Sequence, residues 1–297
     1  MTWSVGDSLK LPLQPETRDL EDWCRQTAAR EKVQPWTVEK DFFLTRLIWG
    51  LSQAHGDSLL LKGGTCLSKV DLGYHRMSED VDLTLCGVPT KYRSTNSSKI
   101  NPIVRTLRDG GEAIGAGLMN FDGDRSEKDA HGIWELHYQS SFLDPKSAII
   151  AVEVAIRTCA LPARRAQLLQ LLPSDLASGY AEAYCWALDF AEVRAEKVRA
   201  AYTREEPAIR DYYDLDLFAK RGLDMSSPEF ERVVDGKLAE VGALPLREQP
   251  ASFGLDKKRR SFVEAARPSL TSVLRLDEDD FDLQGVLSFY DRLWKKS

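Results

Sequence analysis

Two aspartates one residue apart, Asp80 and Asp82, head the apolar segment "DVDLTL", and a third acid, Glu153, sits inside the apolar run "AIIAVEVAI". On an extended strand, Asp80, Asp82 and Thr84 project to one face and Val81, Leu83 and Leu85 to the other, so two carboxylates repel each other on one side of a sheet. In the second run, Ile150, Val152, Val154 and Ile156 share a face, and Glu153 lies on the opposite one with Ile149, Ala151 and Ala155. A buried carboxylate with no partner is costly, so these acids imply a cation. If the two strands lie side by side, three acids converge. Hard oxygen donors of this kind suit Mg²⁺, which keeps several waters and takes phosphate oxygens as its remaining ligands. Two such ions would align an attacking hydroxyl and a leaving pyrophosphate. The competing reading is a capping aspartate followed by a strand-end salt bridge.

Upstream, "LLLKGGTCLSK" runs a short apolar strand into Lys62, Gly63 and Gly64, with a helix expected from Thr65. Paired glycines after a strand give a tight turn or a close backbone approach to a ligand. Amides at a helix start suit a triphosphate. Lys62 and Arg76 are cations within this region that could touch phosphate. Ser78, two residues before Asp80, would place a hydroxyl near the metals or cap the loop–strand junction.

Strand, "GG", helix, "DVD" and a later "VEV" together resemble the core of the DNA polymerase β-like nucleotidyltransferase superfamily. The finer wording of "VEKDFFLTRLI", "LLLKGGTCLSK" and "RMSEDVDLTL" resembles the AbiEii/AbiGii toxin family of type IV toxin–antitoxin and abortive-infection systems, which includes the MenT-like toxins. The match is specific over about residues 36–86, recognisable near 149–156 and 193–217, and indistinct elsewhere. The glycines stand further from the acids than in the compact superfamily pattern, as in this family. The resemblance implies an NTP-using, pyrophosphate-releasing transferase with an RNA acceptor, tRNA 3′ ends foremost, and an antitoxin encoded nearby. It also singles out "RAEKVRAAYTREEPAIRDYYDLDLF", where Lys197 matches the motif lysine and Asp211 and Asp214 the motif acids, with Arg210 a further phosphate ligand. Read from the residues alone, Lys197 is a surface lysine paired with Glu192 or Glu196 rather than a phosphate ligand, and the two aspartates are equally a helix-start cluster at i, i+3. The same fold with a small-molecule or protein side-chain acceptor, or a non-catalytic nucleotide-binding module, remains open.

The elements around these residues set the expected architecture, an α/β (α+β) protein. Its nucleotidyltransferase-type core, residues 1–165, has N-terminal helices and a mixed sheet. Its lobe at 166–297 is mostly helical, with helical patterns from 174–202 onward. Strands are expected at 132–142 and 147–158, and residues 87–101 read as a polar loop. Glu39, Lys40 and Asp41 suggest structural ion pairs. A net charge of −6 argues against a protein that coats nucleic acid, while leaving room for a local basic groove. Lys257–Arg260 and Arg164–Arg165 are the densest cationic runs; the first tilts toward RNA, and both also fit a solvated face. The five cysteines never occur as CxxC and read as reduced thiols. The four histidines include no zinc-type pair. With no membrane-length apolar run and no signal peptide, a cytoplasmic setting is expected.

Overall fold

A computed structural model describes residues 16–113, 123–125, 130–173, 176, 182–275 and 281–295. The chain divides into two compact units, Met1–Leu188 and Asp189–Ser297. This division falls later than the expected break near residue 165, because two further strands complete the first unit's sheet.

In the first unit, α1 (Thr17–Glu31) and α2 (Pro35–His55) precede the strands. Proline at the start of α2 costs no hydrogen bond there and presets the helical φ. The sheet has seven strands in the order β3-β4-β5-β2-β1-β7-β6: β1 (Leu59–Leu61), β2 (Val81–Cys86), β3 (Gly123–Arg125), β4 (His131–His137), β5 (Ile149–Arg157), β6 (Arg164–Gln167) and β7 (Tyr184–Ala187). β1 is antiparallel to β2 and parallel to β7, and β2 is parallel to β5, so the sheet is mixed as expected. Apolar side chains at alternate positions form its inner face: Val81, Val152 and Trp134 make one row across three strands, all nearly inaccessible. The adjacent register row is Asp82, Glu153 and Ile133, and it faces the other way.

Three local expectations are corrected. The helical pattern expected from residue 174 contains β7, in which Cys185 and Ala187 are fully buried beside β1; tertiary pairing overrides the local helical preference. The polar loop ends early, for α4 spans Arg93–Ala113. Its Ser- and Thr-rich first turns conceal a buried stripe of Asn96, Ile100, Ile103 and Leu107. Finally, Cys86 and Cys159 are joined in a disulfide, with Cα atoms 5.3 Å apart, and only Cys24, Cys66 and Cys185 are free thiols. The parallel register sets Cys86 opposite Arg157, two residues from Cys159, and spacing along the chain could not reveal that.

The second unit is helical: α5 (Phe190–Thr203), α6 (Ile209–Lys220), α7 (Pro228–Glu240), α8 (Lys257–Ala265), α9 (Pro268–Thr271) and α10 (Leu283–Trp294). Phe253 anchors its core among Tyr202, Tyr212, Tyr290 and Trp294, with ring centroids 4.8–5.9 Å away. The polar ends of three of these rings find carbonyls: Tyr290 donates to Leu215 O at 2.8 Å, Trp294 to Met225 O at 3.1 Å and Tyr212 to Ala201 O at 3.2 Å.

Candidate active site

The chain leaves β1 at Lys62, turns through Gly63 at φ +68°, and enters α3 (Gly63–Cys66), so the helix opens two residues before Thr65. Both glycines are required by what lies against them. A Cβ on Gly63 would stand 2.0 Å from Asp82 Oδ2; one on Gly64 would stand 2.5 Å from Arg76 Nη2 and 3.1 Å from Ser78 Oγ. The turn therefore meets a carboxylate, a guanidinium and a hydroxyl at closest approach. Thr65 Oγ1 donates to the carbonyl of Asp80 and accepts from Ser78 Oγ at 2.8 Å, which fixes the loop to the helix start. Arg76 is 2% exposed and donates from Nη1 to Met77 O at 3.1 Å.

Asp82 and Glu153 are direct register partners on parallel strands. Asp80 is not on the strand. It occupies the bend before Val81, where the ladder begins, so the expected sharing of one strand face by Asp80 and Asp82 does not hold. The cation implied by Glu153 is a lysine: Lys62 Nζ reaches across to Glu153 Oε1 at 2.9 Å, and His131 Nε2 lies 3.6 Å from the same oxygen. Burial by itself would raise the Glu153 pKa; the His131 contact and the Lys62 charge outweigh it and hold the carboxyl well below its usual range. Among the described residues, no group of three or more His, Cys, Asp or Glu side chains is gathered as a metal-binding cluster. Asp80 and Asp82 lie beside the glycine turn, and Glu153, one strand over, is engaged by Lys62.

Glu39, Lys40 and Asp41 are buried in α2 and serve structure. Glu39 accepts from Ser140 Oγ and Ser141 N, Lys40 pairs with Glu79 at 3.4 Å, and Asp41 holds Lys69, Tyr74 and the amide of Leu171. Burial raises the Glu39 pKa, and the bonds to Ser140 and Ser141 oppose it.

In the second unit, the remaining residues suggested by the sequence come together. Lys197 Nζ lies 2.7 Å from Asp211 Oδ1 and 2.9 Å from Asp214 Oδ2, and Arg204 Nε is 3.3 Å from Asp211 Oδ2. Lys197 is 8% exposed and Asp214 is fully buried, so a surface pairing with Glu192 or Glu196 is ruled out. Those glutamates pair with Lys237, a buried lysine that the sequence did not distinguish, at 2.6 and 3.5 Å, and Glu196 also pairs with Arg199 at 2.7 Å. Burial alone would lower the Lys237 pKa, but the surrounding carboxylates raise it. Arg210 is half-buried on α6. The basic run at the start of α8 divides: Arg259 donates to Gly254 O and Arg204 O and Arg260 to Gln284, while Lys257 and Lys258 are exposed. Arg164 is likewise structural, paired with Asp71 at 2.5 Å.

A model of the AbiEii nucleotidyltransferase toxin of type IV toxin–antitoxin systems matches residues 46–288. The chain belongs to the AbiEii family. It is accordingly a nucleotidyltransferase of the type IV toxin class, and that class implies an antitoxin partner. Its fold is similar to that of MenT4, a nucleotidyltransferase toxin from Mycobacterium tuberculosis H37Rv, at 23% identity and a TM-score of 0.55, over 90% of this chain and 92% of that one. A structure of the GLD-2/RNP-8 complex aligns over 83% of this chain and 76% of that one at 11% identity, with a TM-score of 0.28. Comparison with curated protein sequences returns no match. No helix among the described residues is long and apolar enough to cross a membrane.

Proposed function

We propose that this AbiEii member moves a nucleoside monophosphate from an NTP to the 3′ end of an RNA, tRNA being the acceptor class, in a Mg²⁺-dependent reaction. The observation that supports the reading best is the glycine turn with Asp82, Arg76 and Ser78 packed against it. An anionic triphosphate on this turn would meet the Arg76 charge and the Ser78 hydroxyl directly. Asp80 and Asp82 would hold the metal, whose chemistry is to neutralise charge on the phosphate oxygens. An acceptor ribose hydroxyl attacks the α-phosphorus and gives up its proton to solvent water, the bond to the β-phosphate oxygen breaks, and pyrophosphate leaves with that electron pair. Glu153, held ionised by His131 and Lys62, is a weak proton acceptor for this step; its depressed basicity suits binding of a cation better than removal of the hydroxyl proton. As a toxin in phage defence, the protein would be opposed by an antitoxin encoded beside it.

The test incubates the protein with each of four α-labelled NTPs, with Mg²⁺ or with a chelator, and offers total RNA, total protein or a panel of hydroxylated amines. Label in the tRNA band, lost with chelator, is expected. Label confined to protein or to small molecules overturns the RNA acceptor, and equal transfer under chelation overturns the metal.

A further inference from the structure

From Leu83 to Arg108 the chain carries five cations, Lys91, Arg93, Lys99, Arg105 and Arg108, and no acid, although acids outnumber bases 46 to 40 overall. All five are exposed. They lie on α4 and on the short loop that leads into it from β2. On a helix advancing about 100° per residue, Arg93, Arg105 and Arg108 fall along one flank of the solvent-facing arc and Lys99 on the other. Lys99 Nζ returns toward the loop, standing 4.0 Å from where a Cβ would lie on Gly87. Tyr92 is 60% exposed in the same loop, with Lys91 Nζ 5.2 Å from its ring centroid.

The loop is held in place from beneath. Asn96 is fully buried; its Oδ1 accepts from Thr90 N at 3.0 Å and its Nδ2 donates to Thr90 O at 2.8 Å. The buried amide thus holds the backbone of the loop that presents Tyr92 to solvent beside Lys91.

We infer that the exposed face of α4 and its Tyr92 loop form the RNA-binding surface of this protein, with the five cations on phosphates and Tyr92 under an unpaired base. The inference rests on the RNA-acceptor reading above and deepens it by giving the acceptor's body a place. Charge complementarity selects a polyanion. The exposed aromatic selects one with unpaired bases. Among the described residues of α4 the apolar stripe is already buried and is not left to enter a bilayer. The location fits an acceptor whose end reacts elsewhere: β2 carries the chain about 13 Å from Asp82 to Cys86, at the strand rise of about 3.3 Å per residue, and the cationic loop follows immediately.

The experiment titrates fluorescent bulk tRNA into the full chain at increasing NaCl, and measures NTP binding separately by equilibrium dialysis. R105E/R108E is expected to weaken tRNA binding by at least about tenfold and to flatten the salt slope by about one for each lost phosphate contact. Tyr92→Ala should cost about fivefold or more. R105K/R108K should retain most of the affinity, melting temperatures should stay at the wild-type value, and the NTP dissociation constant should not move. Wild-type tRNA affinity in R105E/R108E overturns the inference while leaving the acceptor reading intact. Absence of tRNA binding by the wild-type chain overturns both. Uptake by phosphatidylserine-containing vesicles that depends on Arg105 and Arg108, without tRNA binding, replaces RNA with a membrane surface.

Discussion

At the scale of single residues, close approach decides the site. Gly63 combines a left-handed backbone with a carboxylate pressed against its Cα. Gly63→Ala carries a left-handed penalty of about 1–2 kcal/mol and also displaces Asp82. The expected outcome is a modest fall in melting temperature with near-complete loss of label transfer; transfer at the wild-type rate would remove the turn from the active site. The neighbouring electrostatics follow the same logic. Lys62 pairs with Glu153, so the carboxylate that "VEV" left without a partner has one within the chain. The lesson extends to Lys197, which sits below the surface between two aspartates rather than on an exposed helix face.

At the scale of elements, β2 and β5 carry Asp82 and Glu153, and a covalent link joins the end of β2 to Cys159, two residues beyond β5. The Cys86–Cys159 bridge closes a loop across a sequence separation of 73. Replacing it by Cys86→Ser is expected to cost about 2–4 kcal/mol, read as a lower denaturation midpoint. Thiol titration of the unfolded, unreduced chain should give three reactive groups; five would show that the bridge does not form. A second element-level prediction concerns the packing of α2 on α4. His55 Nε2 lies 3.0 Å from Thr106 Oγ1, and burial holds its imidazole below its ordinary pKa of 6.5. As pH falls through 6.5 the unfolded chain takes up the proton first, so His55 opposes folding increasingly until the folded value is passed, and its contribution is most favourable above 6.5. His55→Gln should lessen the loss of stability between pH 7 and 5, measured as the melting temperature across that range. An unchanged pH dependence would assign the effect to other groups.

At the scale of the whole molecule, a net charge of −6 coexists with a helix, α4, that carries four cations and two acids. Composition argued against general nucleic-acid binding, and the exposed face of α4 shows where local charge departs from the average. Function at this scale is tested in cells. Expression of the chain without its antitoxin is expected to arrest growth, and Asp82→Asn, which keeps the shape and removes the charge, should abolish both arrest and label transfer with little change in melting temperature. Arrest that persists in Asp82→Asn would separate toxicity from nucleotide transfer.

The glycine turn, the acids and the alternating apolar strands were legible in the sequence because each follows from local rules: strand periodicity, the backbone freedom of glycine, and the cost of burying charge. The family followed from the same residues. The partners of those residues were not legible. Lys62 meets Glu153 across 91 residues of chain, Cys86 meets Cys159 across 73, and β7 joins β1 although its own stretch reads as helix. Nor did "RSTNSSKI" reveal itself as the start of α4, since its Ser, Thr and Asn residues favour turns until Asn96 is placed in the interior. Local pattern specifies which side chains share a face. Which faces meet is decided only when distant segments pair in one register, because that choice depends on burial summed over the whole sheet.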